Sequence, residues 1–336
     1  MAQLVRPPLS IRDVAQRAGV SPATVSRVLN GSTPVGKEKR DQVLATIQEL
    51  GYRRNRVASN LRRKQAQMIG VVISDIENPH FTKMVRAVED AAYLRGYRVL
   101  LCNTDEDPVK QRDYLGVLTA ERVAGAIVSP TEADAPEISE LLDHGTCVVA
   151  FDRPVADRRA DAVLSSNMQG AVIGTEHLAA KGHARIGFVS GPVRVSTGAE
   201  RLAGYEQTIA ARRLKPLVAQ GDFRFEGGEH ATRELLEQGA TALLVANNSM
   251  AVGALHALKE ARLRVGQDIA LVSFDDPPWA ELTDPPLTAL AQPVRAMADA
   301  AVELLFARLD GRRKRSKRQI FDFELHHRGS CCPAGS

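Results

Sequence analysis

The chain has 336 residues, enough for two or three compact units, and 44% of them are hydrophobic and 25% charged. That balance excludes a fibrous or disordered chain, and no apolar run approaches the ~20 residues that cross a bilayer. The net charge of +4 hides a division: residues 1–65 hold 13 Lys/Arg against 4 Asp/Glu, a net of +9, so the remainder is acidic.

A basic head on an acidic body suits a chain that meets a polyanion at one end only. The opening MAQLVRPPLS lacks an apolar h-region, so no secretion signal is expected. Cys102, Cys147, Cys331 and Cys332 show no paired metal-ligand spacing, and the terminal vicinal pair reads as incidental. A reduced, cytoplasmic setting without metal is the default.

In chain order, SIRDVAQRAGVSPATVSRVLN (10–30) reads as two short helices. Ile11, Val14, Ala15 and Ala18 fall on one helical face. Gly19 breaks that helix, and Val20 can plug the angle to the next. Ser21 is a natural N-cap, with Pro22 at the first helical position. Val25, Val28 and Leu29 make the apolar side of the second helix, leaving Thr24, Ser26 and Arg27 outward. Such a pair reads as a helix-turn-helix, whose second helix enters the DNA major groove. Spacing alone also allows a plain helical hairpin. GSTPVG (31–36) is a turn, and 37–50 a third helix with Val43, Leu44, Ile47 and Leu50 inward, ended by Gly51.

The residues themselves say more than their spacing. Asp13, Val14, Ala15, Ala18-Gly19-Val20-Ser21 and Thr24-Val25-Ser26-Arg27-Val28-Leu29-Asn30 closely resemble the headpiece of the lactose repressor (LacI-type) family. The basic stretch RRNRVASNLRRK (53–64) follows, with Val57, Ala58 and Leu61 on one side of a short helix. By composition it is a charged linker. In the resembling family it is a hinge helix that pairs with its dimer mate in the minor groove and wedges a leucine into the central base step. Leu61 stands at that position, and Asn55, Arg56, Val57 and Ala58 also match. The resemblance implies a homodimer on a near-palindromic operator, since one recognition helix covers a half-site.

Arg27 can reach guanine O6 and N7 with two hydrogen bonds, or else a phosphate. In the family the two residues after the N-cap tune base choice; here Pro22 and Ala23 offer only apolar contact. Ser21, Thr24 and Asn30 suit phosphate oxygens, and Ser21 can serve as a helix cap as well. With Asn55, Arg56, Ala58 and Leu61 these complete the expected DNA-binding set.

From Met68 short apolar runs alternate with amphipathic stretches. IGVVIS (69–74), YRVLLC (97–102), AGAIVS (124–129) and CVVAF (147–151) read as strands, with helices over 79–95, 108–120 and 136–144. A second series is AVLSS (162–166), RIGFVS (185–190), VAQGDF (218–223), ALLVA (242–246) and IALVSF (269–274). Its helices run over 168–181, 198–213, 227–238 and 249–262. This alternation specifies parallel sheets covered on both faces, and two series imply two lobes. The body resembles the type 1 periplasmic sugar-binding fold that the same family carries.

The expected fold is a small all-α helix-turn-helix headpiece plus an α/β two-lobed periplasmic-binding-protein-like (type 1) domain with parallel sheets. The expected boundaries are a headpiece 1–52, a hinge 53–66, an effector-binding and dimerisation domain 67–330 and a tail 331–336. The N-lobe takes about 67–165 and 294–318, the C-lobe about 166–292 and 319–330. RRKRSKR (312–318) reads as a solvated loop, and the tail has no leucine heptads.

Ligands of such sheets bind outside the carboxyl ends of the strands, here the cleft between lobes. Asn78, His80 and Phe81, then Asp152, Asn247 and Asn248, and Asp275 and Asp276, follow strands; Phe223 ends VAQGDF, and Arg201 opens a helix. The resemblance implies effector contacts from Asp152, Arg201, Asn247 and Asp275. It places Phe81 and Phe223 as apolar walls; His80 reads as an effector candidate at the cleft mouth. Carboxylates, a guanidinium and an amide around aromatic faces suit a polyhydroxyl ligand. Plainer readings exist: Asp275 as a turn cap, Arg201 as a surface residue paired with Glu200 or Glu206, His80 as a helix start. Asn248 departs from the Asp of many family members. Val195 stands where purine-binding relatives carry arginine, and Arg153 follows Asp152 in place of an aromatic. Both argue against a purine and for a sugar or sugar derivative.

The reading is a transcription regulator, expected to be a repressor, that binds double-stranded DNA as a homodimer under control of a small metabolite, with no cofactor and no membrane. Control by a phosphorylated carrier protein is the alternative. A solute-binding protein has no use for the basic head. No GxSxG, GxxxxGK[ST] or strand-following GxGxxG points to an enzyme, and no catalytic residue is named.

Overall fold

The computed structural model describes residues 9–30, 35–51 and 66–331. The chain divides into two units after Ala66. In the first, Ser10 Oγ accepts the Asp13 N–H while the Asp13 carboxylate accepts the Ser10 N–H at 2.7 Å, a capping box that starts α1 (Ile11–Arg17). Gly19 turns the chain at φ +60°, a conformation that costs glycine little. Ser21 Oγ accepts the Thr24 N–H at 3.2 Å and starts α2 (Pro22–Asn30). The third helix, α3 (Lys37–Leu50), ends at Gly51 with φ +62°. Val14, Ala15, Ala18, Val25 and Val43 form the core, ringed by Ile11, Val20, Val28, Leu29, Ile47 and Leu50. Leu44 does not face inward: it is 43% exposed, and Thr46 is buried instead. Positions 43, 46, 47 and 50 follow the helical period, whereas 44 lies about 100° round from 43. Thr46 is tolerated there because its hydroxyl donates to the Gln42 carbonyl at 2.9 Å.

The second unit is built on two sheets. The first contains β1 (Ala66–Ile73), β2 (Arg98–Asn103), β3 (Val123–Val128), β4 (Cys147–Asp152), β5 (Asp161–Ser165) and β11 (Arg318–Phe321), ordered β11-β5-β4-β3-β1-β2. Its helices are α4 (Pro79–Leu94), α5 (Pro108–Ala120), α6 (Pro136–Asp143) and α11 (Val294–Leu309). The second contains β6 (Ile186–Ser190), β7 (Leu217–Gln220), β8 (Ala242–Val245), β9 (Ala270–Phe274), β10 (Thr288–Ala291) and β12 (Glu324–His326), ordered β12-β10-β9-β8-β6-β7. Helices α7 (Asn167–Ala180), α8 (Ser196–Ala211), α9 (Phe225–Glu237) and α10 (Asn248–Glu260) belong with it. Strand pairs such as β3–β4, β4–β5, β6–β8 and β8–β9 are parallel; β12 runs antiparallel to β10.

The strands read as continuous apolar runs because both faces are covered. Ile69, Val71 and Ile73 join Met84, Phe151, Met297 and Leu305 on one face of the first sheet. Val72, Ala126 and Val128 join Leu115, Leu118 and Leu141 on the other. The second sheet has its own core around Phe188, Tyr205, Leu244 and Phe274.

The chain passes between lobes after β5, after β10 and after β11. Three sequence expectations need correction. The AVLSS run, read with the second series, belongs to the first sheet, where β5 pairs with β4 and β11, as the expected N-lobe bound of 165 already had it. Residues 319–321 stay in the N-lobe, so the last crossing lies after Phe321. Cys331 is not part of a loose tail but packs, 7% exposed, into the C-lobe core. The strands β10, β11 and β12 escaped the sequence reading because each has only three or four residues and no long apolar run. The run 312–318 is an exposed loop leading into β11.

Candidate functional site

Residues beyond the carboxyl ends of strands in both sheets line one cavity, about 490 Å³ of empty space partly open to solvent. All seven effector candidates (His80, Phe81, Asp152, Arg201, Phe223, Asn247 and Asp275) stand in its wall. Four lining residues take left-handed backbone: Glu106 (φ 59°), Asp152 (66°), Phe223 (68°) and Asp275 (67°). For a non-glycine residue that conformation costs about 1–2 kcal/mol. Its concentration where strands end at a cavity is the pattern of strain held at a site that must aim side chains. Phe223 lies three residues beyond β7, not at the strand's end.

On the N-lobe wall Arg153 grips Glu106 with two hydrogen bonds, at 2.7 and 2.5 Å, and donates to the Pro130 carbonyl at 3.2 Å. Burial alone would lower the Arg153 pKa, but Glu106 outweighs it and holds the guanidinium charged. Asp152 lies 3.7 Å from both Arg153 Nε and His80 Nε2. The His80 ring meets Phe81 edge-on at 5.0 Å, and neither ring nitrogen has a hydrogen-bond partner. Its backbone N–H donates to the Asn78 side chain, the N-cap of α4.

On the C-lobe wall Arg201 is buried. Its Nε donates to Asn167 Oδ1 at 2.9 Å, its Nη1 to the Ala246 carbonyl, and the guanidinium lies 4.3 Å from the Phe274 ring centre. It is not a surface residue paired with Glu200 or Glu206. Burial lowers its pKa, while the charges of Asp275 and Asp152 work the other way. Asp275 is also buried, which would raise its pKa; Arg201, His80 and hydrogen bonds from Asn248 and Gln292 instead hold it below the usual carboxylate range. Asn247 caps α10 by accepting the Met250 N–H and donates its amide to the Phe223 carbonyl, both at 2.9 Å. Asp276, the obvious rival of Asp275, is engaged elsewhere by Arg328 and His326. Val195 is buried in the C-lobe core.

The lobes touch through polar groups. Asn248 Nδ2 donates to Asp275 Oδ2 and to Asn78 Oδ1, each at 2.9 Å. Gln292, just past β10, accepts from Ser165 Oγ and donates to Asp275 Oδ1, both at 2.8 Å. Arg224 Nη2 donates to the Asp105 carbonyl at 3.1 Å. The sequence reading missed Asp75, Glu106, Thr197, Asp222, Arg224 and Gln292 as cavity residues. Proximity to a strand end could have flagged most of them; Gln292 was hidden because β10 was.

In the headpiece Pro22, Ala23 and Arg27 are exposed on α2. Ser21 and Thr24 hydroxyls lie 2.9 Å apart at its start, and Asn30 is its last residue. Asn55, Arg56, Ala58 and Leu61 lie outside the described residues.

The geometry can be set against known proteins. Residues 10–55 match the bacterial regulatory proteins of the lacI family, and residues 175–331 match the periplasmic binding protein-like domain. The chain is 36% identical over 303 residues to the ribose operon repressor of Halalkalibacterium halodurans, covering 90% of each. Among solved structures, the lac repressor dimer bound to operator and the anti-inducer ONPF matches with a TM-score of 0.83 and 31% identity, over 97% of this chain and 100% of that one. A LacI-family regulator from Enterococcus faecium with bound ribose matches with a TM-score of 0.74 and 26% identity, over 79% and 99%. These relatives are regulators, and no described helix is long and apolar enough to cross a membrane. The chain belongs to the LacI family of DNA-binding transcriptional repressors, with a helix-turn-helix headpiece joined to a periplasmic-binding-protein-like effector domain.

Proposed function

We propose that this chain is a cytoplasmic repressor that binds a near-palindromic operator as a homodimer and is controlled by a pentose-class sugar held between its lobes. The observation that carries this reading is the single cavity in which Asp152, Arg201, Asn247 and Asp275 surround the rings of Phe81 and Phe223. Sugar hydroxyls donate to the carboxylates and accept from the guanidinium, while the ring's C–H faces lie on the aromatics. The relatives named for the ribose operon and found with bound ribose support the pentose. Arg27, with Pro22 and Ala23, reads base edges; Ser21, Thr24 and Asn30 position the headpiece on phosphates; Asn55, Arg56, Ala58 and Leu61 serve the minor groove.

Control follows from linkage. A sugar that bridges the lobes favours one relation between them, and in a dimer that relation sets the spacing of the hinge segments on DNA. The ligand acts only through its difference in affinity between the two states.

Isothermal titration of the full-length protein with D-ribose tests the ligand. One site per chain is expected, weakened about 100-fold by Arg201→Lys, which cannot keep both the Asn167 and Ala246 bonds. Absence of heat with any pentose or hexose, together with a response to a purine base or a phosphorylated carrier protein, would overturn the sugar reading.

A further inference from the structure

Away from the effector cleft, α7 and the last described residues meet beside β12 at the edge of the second sheet. There His177, His327 and Cys331 place one ligand atom each within 4.8 Å of one another. The two imidazole rings lie 5.0 Å apart, inclined at 57°. His177 Nε2 is buried with no hydrogen-bond partner, and a buried polar atom left in that state costs free energy. The Cys331 thiol points to the Leu271 carbonyl at 3.6 Å. The backbone beneath it is pinned: Ser330 Oγ donates to Leu271 O at 2.6 Å and accepts the Thr288 N–H at 2.8 Å. Ligands on α7 and on a pinned segment are the rigid supports that a metal site needs.

We propose that His177, His327 and Cys331 form a zinc site that clips the segment after β12 to α7. Two imidazoles and a thiolate are a donor set zinc takes in tetrahedral geometry, with the fourth place left to water. Drawing the ligand atoms together by about 1 Å through side-chain rotation brings them to zinc-bond distances. The thiol proton leaves for solvent as the Zn–S bond forms. None of the three lines the effector cavity, so the clip acts on the fold of the C-lobe and not on the sugar. Among the described residues, the other cluster of this kind, Glu229, His256 and Glu260, is largely exposed, and Arg233 already bridges its two carboxylates at 2.5 Å.

The test is titration of chelator-treated full-length protein with zinc, and with cobalt(II) for its spectrum. One equivalent per chain, release of a proton, a thiolate-to-cobalt charge-transfer band and a raised Tm are expected. Cys331→Ser and His327→Ala each abolish the band and weaken zinc about 100-fold. His327 is exposed, so its variant keeps the fold, and Cys332→Ser keeps the band. Zinc binding unchanged in Cys331→Ser or His327→Ala, or a cobalt spectrum without thiolate, overturns the proposal.

Discussion

Asp275 is held from four directions: Asn248 and Gln292 donate to its two oxygens, and the charges of Arg201 and His80 favour its ionised form. Its folded pKa lies below the unfolded value of about 3.9. The stability it contributes is therefore complete above that pH and is lost as pH falls through the depressed folded value. Asp275→Asn leaves Arg201 buried without its main counter-charge and is expected to cost about 3 kcal/mol at neutral pH. Urea unfolding on either side of pH ~4 should show wild type losing stability on acidification while the variant changes less over the same interval. The Asn248 amide donates to Asp275 and Asn78, where a carboxylate could not. Asn248→Asp sets a second negative charge against Asp275 and breaks the bond to Asn78. Ribose affinity, read by titration, should fall about tenfold, in line with the loss of a buried hydrogen bond. In the headpiece, Arg27→Ala should cost about 1–3 kcal/mol of operator binding and relax discrimination at one base position of each half-site. A uniform loss across all sequences would make Arg27 a phosphate contact instead.

At the scale of elements, the cleft depends on close helix packing behind it. Gly228 on α9 lies so near Met250 of α10 that a Cβ would overlap the Met250 carbonyl, and Gly253 lies as near the Phe225 carbonyl. Met250 is the residue whose N–H is capped by Asn247, and Asn247 holds the Phe223 carbonyl. Gly228→Ala must therefore move α10 and disturb the cavity wall from behind. A Tm several degrees lower together with weaker ribose binding is expected; an unchanged Tm would mean the helices slide apart freely. The same elements show what periodicity can and cannot reveal. The long apolar strands and helices announced themselves because both faces are buried. Thr46 replaced Leu44 in the headpiece core because the helical period outranks side-chain polarity when the hydroxyl has an acceptor. The strands β10 and β12 and the edge strand β11 are too short to show a pattern, and with β10 went Gln292, which ties both lobes to Asp275.

For the whole molecule, the division of charge foretold a DNA-binding head and a separate body. The residues of the cleft could be named from their places after strands and from the family they resemble. Their partners could not. That Arg153 grips Glu106, that Arg201 bonds Asn167, and that His177, His327 and Cys331 meet depends on contacts between segments far apart in sequence. On the proposed function, sugar in the cleft changes operator binding by the headpiece. Selection of bound duplexes from a random DNA pool, run with and without D-ribose, tests it most directly. One enriched near-palindrome is expected, its recovery changed when ribose is present. A pool with no palindrome, or one recovered equally with and without the sugar, would contradict it.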